Sequence, residues 1–111
     1  MALHQGQCEA CRSNAPRATP EERSVWGQEL PHWTVESEHG VDRLQRVFTF
    51  ADFAQALEFT LKVGRMADQQ GHHPALLTEW GKVTVRWWTH ILGGLHRNDY
   101  VCAAKTELLY A

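Results

Sequence analysis

The feature that most constrains the fold is a hydrophobic period that switches between helical and strand spacing several times within 111 residues. Thr19-Pro20-Glu21-Glu22 combines a hydroxyl N-cap, a proline at the first helical position and a glutamate three residues past the cap, with Val25, Trp26 and Leu30 following on one side. This predicts a short helix stopped by Pro31. Trp33-Thr34-Val35-Glu36 and Leu44 to Phe50 are β-prone runs separated by a polar turn containing Gly40, which predicts an antiparallel pair. From Ala51 the spacing becomes helical: Phe53, Leu57 and Leu61 form the expected apolar stripe, with Ala54 and Gly64 beside it, and the helix is expected to end before Gly71. After Pro74, Leu76 to Trp80 and Val83 to His90 flank Gly81-Lys82, read as a two-residue hairpin turn. Gly93-Gly94 breaks the second of these strands, and Val101, Ala104 and Leu108 mark a last helix from about residue 97. The order helix, two strands, helix, two strands, helix predicts a single α+β domain. Its four-stranded antiparallel sheet would be covered on one face by three helices.

Composition sets further bounds. With 43 % hydrophobic residues and five tryptophans, a chain of this length can build one core and has room for one domain. Residues 1–18 show no regular period and are expected to be a tail or loosely packed arm, with the domain proper at 19–111. A formal charge of −2 lacks the basic footprint that binding a phosphate backbone needs, so nucleic acid is not an expected partner. No apolar run approaches the roughly 20 residues that span a bilayer, and Met1 to Gly6 lack the order of a signal peptide, so a cytoplasmic protein with no membrane partner is expected. Three cysteines, Cys8, Cys11 and Cys102, then read as reduced thiols.

Seven histidines stand out in this composition, and three fall in one pattern: Asp68-x3-His72-His73-Pro74, a hairpin, then Thr89-His90-x3-Gly94-Leu95-x3-Asp99. In the second strand of the hairpin Val83, Val85 and Trp87 share one face, and Thr84, Arg86, Trp88 and His90 the other, which puts His90 at the strand end on the polar side. The pattern resembles the signature of the pterin-4a-carbinolamine dehydratases. In that family an acidic residue before His-His-Pro is followed by an aromatic, here Trp80, then by a strand ending in Thr-His and by Gly-Leu before an Asp. Further points of resemblance are Trp33, Asp52-Phe53 and Lys82-Val83, and the likeness covers roughly residues 19 to 111. One departure is His96, where the family commonly has a hydroxyl residue before the last helix.

The resemblance implies a hydro-lyase that converts 4a-hydroxytetrahydrobiopterin to quinonoid dihydropterin, recycling the pterin for an aromatic amino acid hydroxylase. This chemistry suits histidine. A proton must reach the hydroxyl leaving C4a and another must leave N5, and imidazole, with an unperturbed pKa of about 6.5, can do either near neutrality. No redox change occurs, so no cofactor is expected. On the family pattern His72 and His90 form the proton-transfer pair and His73 chiefly positions substrate. Asp68 and Asp99 each support a histidine, and Gly71 and Trp88 line the pterin pocket. Homodimers or homotetramers are expected, both from exposed sheet edges and from the resemblance.

Rival readings have identifiable marks. Three histidines and two aspartates could ligate zinc or iron, but adjacent His72 and His73 on extended backbone should point apart and no helical His-x3-His pair is present, so no metal is expected. Cys8-x2-Cys11 lacks a second cysteine pair and reads as part of a solvent-facing tail. His4, His32, His39 and His96 are expected at the surface. The resemblance also brings a second class of function, a protein-binding module, since animal members serve as a dimerization cofactor of a homeodomain transcription factor. A molybdopterin-related accessory protein is a third.

Overall fold

In the computed structural model, residues 2–9 and 14–110 are described. The elements are α1 (Pro20–Gly27), β1 (Thr34–Glu38), β2 (Val41–Thr49), α2 (Phe53–Gln70), β3 (Ala75–Glu79), β4 (Lys82–Trp87) and α3 (Arg97–Leu109), with short 3₁₀ turns at Leu3–Gln5 and His90–Leu92. The strands form one antiparallel sheet in the order β1-β2-β4-β3, so the α+β architecture expected from the period is the one observed. None of the described helices is long and apolar enough to cross a membrane.

Local chemistry accounts for most of the boundaries. The Thr19 hydroxyl accepts from the Glu22 N–H while the Glu22 carboxylate accepts from the Thr19 N–H, a reciprocal cap that starts α1 after Thr19. The helix closes at Gly27, ahead of Pro31, and Val25 is exposed while Trp26 packs on Tyr100 at 5.3 Å between ring centroids. His39 and Gly40 both have positive φ, the conformation a two-residue hairpin turn requires, and they connect β1 to β2. The second hairpin turns at Trp80-Gly81 instead of Gly81-Lys82, because Lys82 already pairs with Glu79. Gly81 still supplies the positive φ.

Two expectations are corrected in ways that matter for the site. β4 stops at Trp87 rather than reaching His90: Thr89 bridges to Gly94, and the segment between them folds into the 3₁₀ turn, closed by Gly93 in the left-handed region. His90 therefore sits on a turn and not at a strand end. The second correction concerns α2, where Phe53, Leu57 and Leu61 are 45 %, 43 % and 48 % exposed and the buried stripe is Ala56, Phe59, Val63 and Ala67. Both stripes have helical spacing. The sheet takes the one whose alanines allow close approach and whose Phe59 meets Phe48 and Phe50 at 4.7 and 5.1 Å.

α3 is the most buried helix, packed on the sheet and on α2. Its last turns are tied to the sheet by polar contacts: the Trp87 indole N–H donates to the Thr106 hydroxyl at 3.1 Å, and Glu107 accepts from the Trp33 indole N–H at 2.6 Å and from Arg46. The first residues do not behave as a loose arm. Leu3 is buried, and the segment lies along α3, where the Lys105 ammonium donates to the His4 carbonyl at 2.9 Å. A single buried leucine has no period, which is why the sequence alone read these residues as a tail.

Candidate active site

The His-His-Pro segment is placed by the end of α2. Gly71 takes the left-handed conformation with φ 63°, its N–H donates to the Asp68 carbonyl, and the His72 N–H donates to the Ala67 carbonyl. These bonds close the helix and turn the chain into β3. They also occupy the N–H groups of Gly71 and His72, so what Gly71 can offer a ligand is its carbonyl.

From this turn the two histidines diverge, as adjacent residues on extended backbone must. His72 faces inward at 4 % exposure, its ring stacked on Trp87 with centroids 5.6 Å apart and planes 12° from parallel. Its Nε2–H donates to Asp99 Oδ1 at 2.6 Å. Asp99 is fully buried and accepts two further bonds on Oδ2, from the Thr89 hydroxyl at 2.8 Å and from the His96 N–H at 2.9 Å. The carboxylate at the start of α3 thus joins the α2–β3 turn to the β4–α3 connection.

His73 faces outward, and its Nε2–H donates to Asp68 Oδ1 at 2.9 Å. Both line an open cavity of about 450 Å³ whose wall includes Thr60, Leu61, Pro74 and Leu76. This pair is local, set by the turn itself. His90 is exposed on its 3₁₀ turn and rests against Trp88, ring centroids 4.3 Å apart, while the Arg43 guanidinium lies over the Trp88 ring at 4.4 Å. His90 follows Thr89 directly, so the buried carboxylate also anchors the segment that carries it.

The structure therefore groups the expected residues in three sets, His72 with Asp99, His73 with Asp68, and His90 with Trp88, and of these the second lines the cavity. Among the described residues no three His, Cys, Asp or Glu side chains gather in an arrangement that could hold a metal ion.

The model of the family described as pterin 4 alpha carbinolamine dehydratase matches residues 16–109. The chain belongs to that family. A Marinobacter nauticus protein provisionally named pterin-4-alpha-carbinolamine dehydratase is 51 % identical over 108 residues, 97 % of each chain. Among solved structures, a Brucella melitensis protein described as a transcriptional coactivator/pterin dehydratase superposes with a TM-score of 0.76 at 26 % identity, covering 86 % of this chain and all of that one. A pterin dehydratase-like protein identified as a RuBisCO assembly factor in the alpha-carboxysome shares the fold, with a TM-score of 0.60 at 19 % identity over 71 % of this chain and 89 % of that one.

Within this pterin carbinolamine dehydratase fold, three residues had roles that the motif did not give. Thr89 and Trp87 hold Asp99 and His72 in place. The third is His96, expected at the surface and found 3 % exposed: its Nδ1 accepts from the Asn98 N–H at 3.0 Å, so an imidazole caps α3 where the family commonly has a hydroxyl. An acid three residues after a prospective N-cap, Asp99 after His96, was the available signal for this role. His32 and His39 are exposed, as expected. Cys11 lies outside the described residues.

Proposed function

We propose that the protein dehydrates a 4a-hydroxytetrahydropterin to the quinonoid dihydropterin and water, in the cytoplasm, as part of tetrahydropterin recycling for an aromatic amino acid hydroxylase. The observation that carries the reading is a pair of histidine–aspartate couples on consecutive residues, one buried and one open to a cavity, in a chain of this family.

The reaction breaks the C4a–O bond, delivers a proton to the departing oxygen and removes one from N5, with no change in oxidation state. In the proposed division His72 and His90 carry these two protons, and His73, held by Asp68, positions the pterin from the cavity wall. Asp99 keeps the His72 Nε2 edge occupied, which fixes the orientation of the ring. Trp88, which carries both His90 and the Arg43 guanidinium against its ring, forms part of the wall beside His90. The scheme uses no metal and no cofactor.

The test is dehydration of freshly generated 4a-hydroxytetrahydropterin by the purified chain, followed by absorbance, with and without exhaustive chelation. Turnover in both arms is expected. A folded chain with no turnover would overturn the reading in favour of a protein-binding module, the class that the Brucella protein's joint description brings in. Turnover lost to chelation and restored by one metal would overturn the metal-free scheme alone.

A further inference from the structure

The segment Leu3 to Glu9 is fixed to α3 by contacts that the pterin site does not use. Glu9 and Asn98 exchange two hydrogen bonds, Glu9 N–H to Asn98 Oδ1 at 2.9 Å and Asn98 Nδ2–H to the Glu9 carbonyl at 2.8 Å. The Cys8 N–H donates to Gln70 Oε1 at 3.1 Å, which adds a tie to the end of α2. Held in this way, the Cys8 sulfur lies 3.2 Å from the sulfur of Cys102, a residue 94 positions away and one helical turn past Asp99. Both are free thiols.

We infer that Cys8 and Cys102 are a reversible intramolecular dithiol–disulfide couple, oxidised by a hydroperoxide. The two sulfurs differ in the way the two steps require. Cys8 is half-buried and Cys102 buried, so an oxidant meets Cys8 first. The Cys8 thiol is held below its ordinary value, chiefly by the hydrogen bond from Cys102, against the opposing effect of burial; positive charge at His72 and Lys105 adds to the lowering. The Cys102 thiol is pushed well up by that same hydrogen bond and by burial, so it keeps its proton.

In the first step the Cys8 thiolate attacks one peroxide oxygen. The O–O bond breaks, Cys8 becomes a sulfenic acid, and the leaving hydroxide takes up the proton that Cys8 had released, giving water. In the second step the Cys102 sulfur attacks the sulfenic sulfur, the S–O bond breaks, and the departing hydroxide takes the Cys102 proton. Two thiols and one hydrogen peroxide thus become one disulfide and two waters. The product ties the N-terminal segment covalently to the helix that carries Asp99.

The test uses the whole chain with Cys11→Ser, so that only the two cysteines in question remain. Hydrogen peroxide in small excess should remove both thiols in parallel. A non-reducing peptide map of the single-chain species should join the Cys8 and Cys102 peptides, and dithiothreitol should restore both thiols. In a Cys11→Ser, Cys102→Ala chain, Cys8 should stop at the sulfenic acid and be captured by dimedone; if that chain does not fold, the peptide map decides alone. Oxidation of Cys8 with Cys102 left as a free thiol in the Cys11→Ser chain, or disulfides formed only between chains, would overturn the inference.

Discussion

A carboxylate with no exposed surface needs donors at its acceptor sites, and Asp99 has three, one from the α2–β3 turn and two from the β4–α3 connection. Asp99→Asn keeps the shape and sets an amide N–H2 against groups that donate, so the folded state should lose about 1–3 kcal/mol. An unchanged urea midpoint would contradict the role given to this residue. The histidines make kinetic predictions of different kinds. His72→Ala and His90→Ala should each leave a folded chain that binds pterin but turns it over about 10²- to 10⁴-fold more slowly, the usual loss for one general acid or base. His73→Ala should raise KM more than it lowers kcat, because ground-state positioning is what it removes. Steady-state kinetics on the three variants decides, and near-normal kcat in both His72→Ala and His90→Ala would sink the proposed pair. At this scale the sequence made residue types and spacing legible, and Asp68 with His73 is a local pair, 5 positions apart. That Asp99 partners His72 was not legible, since the two are 27 positions apart with a whole hairpin between them and only the packing of α3 on β4 brings them together.

The elements were legible where a local signal fixed them. The reciprocal cap of α1 and the glycine that ends α2 are written in adjacent residues, and both stand where the pattern put them. The end of β4 was not, because the Thr89–Gly94 bridge that diverts the chain is a contact between residues whose sequence reads as strand and breaker. Nor was the buried face of α2, which carries two apolar stripes of equal spacing and leaves the choice to the sheet. The start of α3 shows a third situation, a cap supplied by a residue type that seldom caps a helix. His96 fills the N-cap as an acceptor through Nδ1 while its own N–H is accepted by Asp99, so one residue both caps the helix and holds the buried carboxylate in place. His96→Ala should therefore cost about 1 kcal/mol, the usual loss of an N-cap, whereas His96→Asn should recover most of it because its side-chain oxygen can accept the same N–H. Chemical denaturation of both variants measures this. Equal midpoints for His96→Ala and the parent chain would mean the imidazole cap contributes nothing.

At the scale of the molecule, the helix-covered face of the sheet is closed, whereas the sheet edges, β1 and β3, pair with no further strand among the described residues. The outward face of α2 presents Phe53, Leu57 and Leu61 on successive turns. Such a stripe is self-complementary across a twofold axis, since the same residues meet on both copies, and burying it offsets the cost of exposing large apolar side chains to water. Open edge strands can be satisfied by a second sheet in the same way. Together they support the proposal of a homodimer or homotetramer, which light scattering at micromolar protein should detect as a mass of two or four times 12.7 kDa. A monomer mass would count against it. The two surfaces can be separated by one variant, Leu57→Glu with Leu61→Glu, which places like charges on facing stripes and leaves the side chains packed against the sheet untouched. Because both leucines are exposed in the single chain, the variant should keep its circular dichroism spectrum while losing mass. A tetramer that falls to a dimer would assign α2 to one interface and the sheet edges to the other. An oligomer unchanged by the two glutamates would place the whole association on the sheet edges and remove α2 from it.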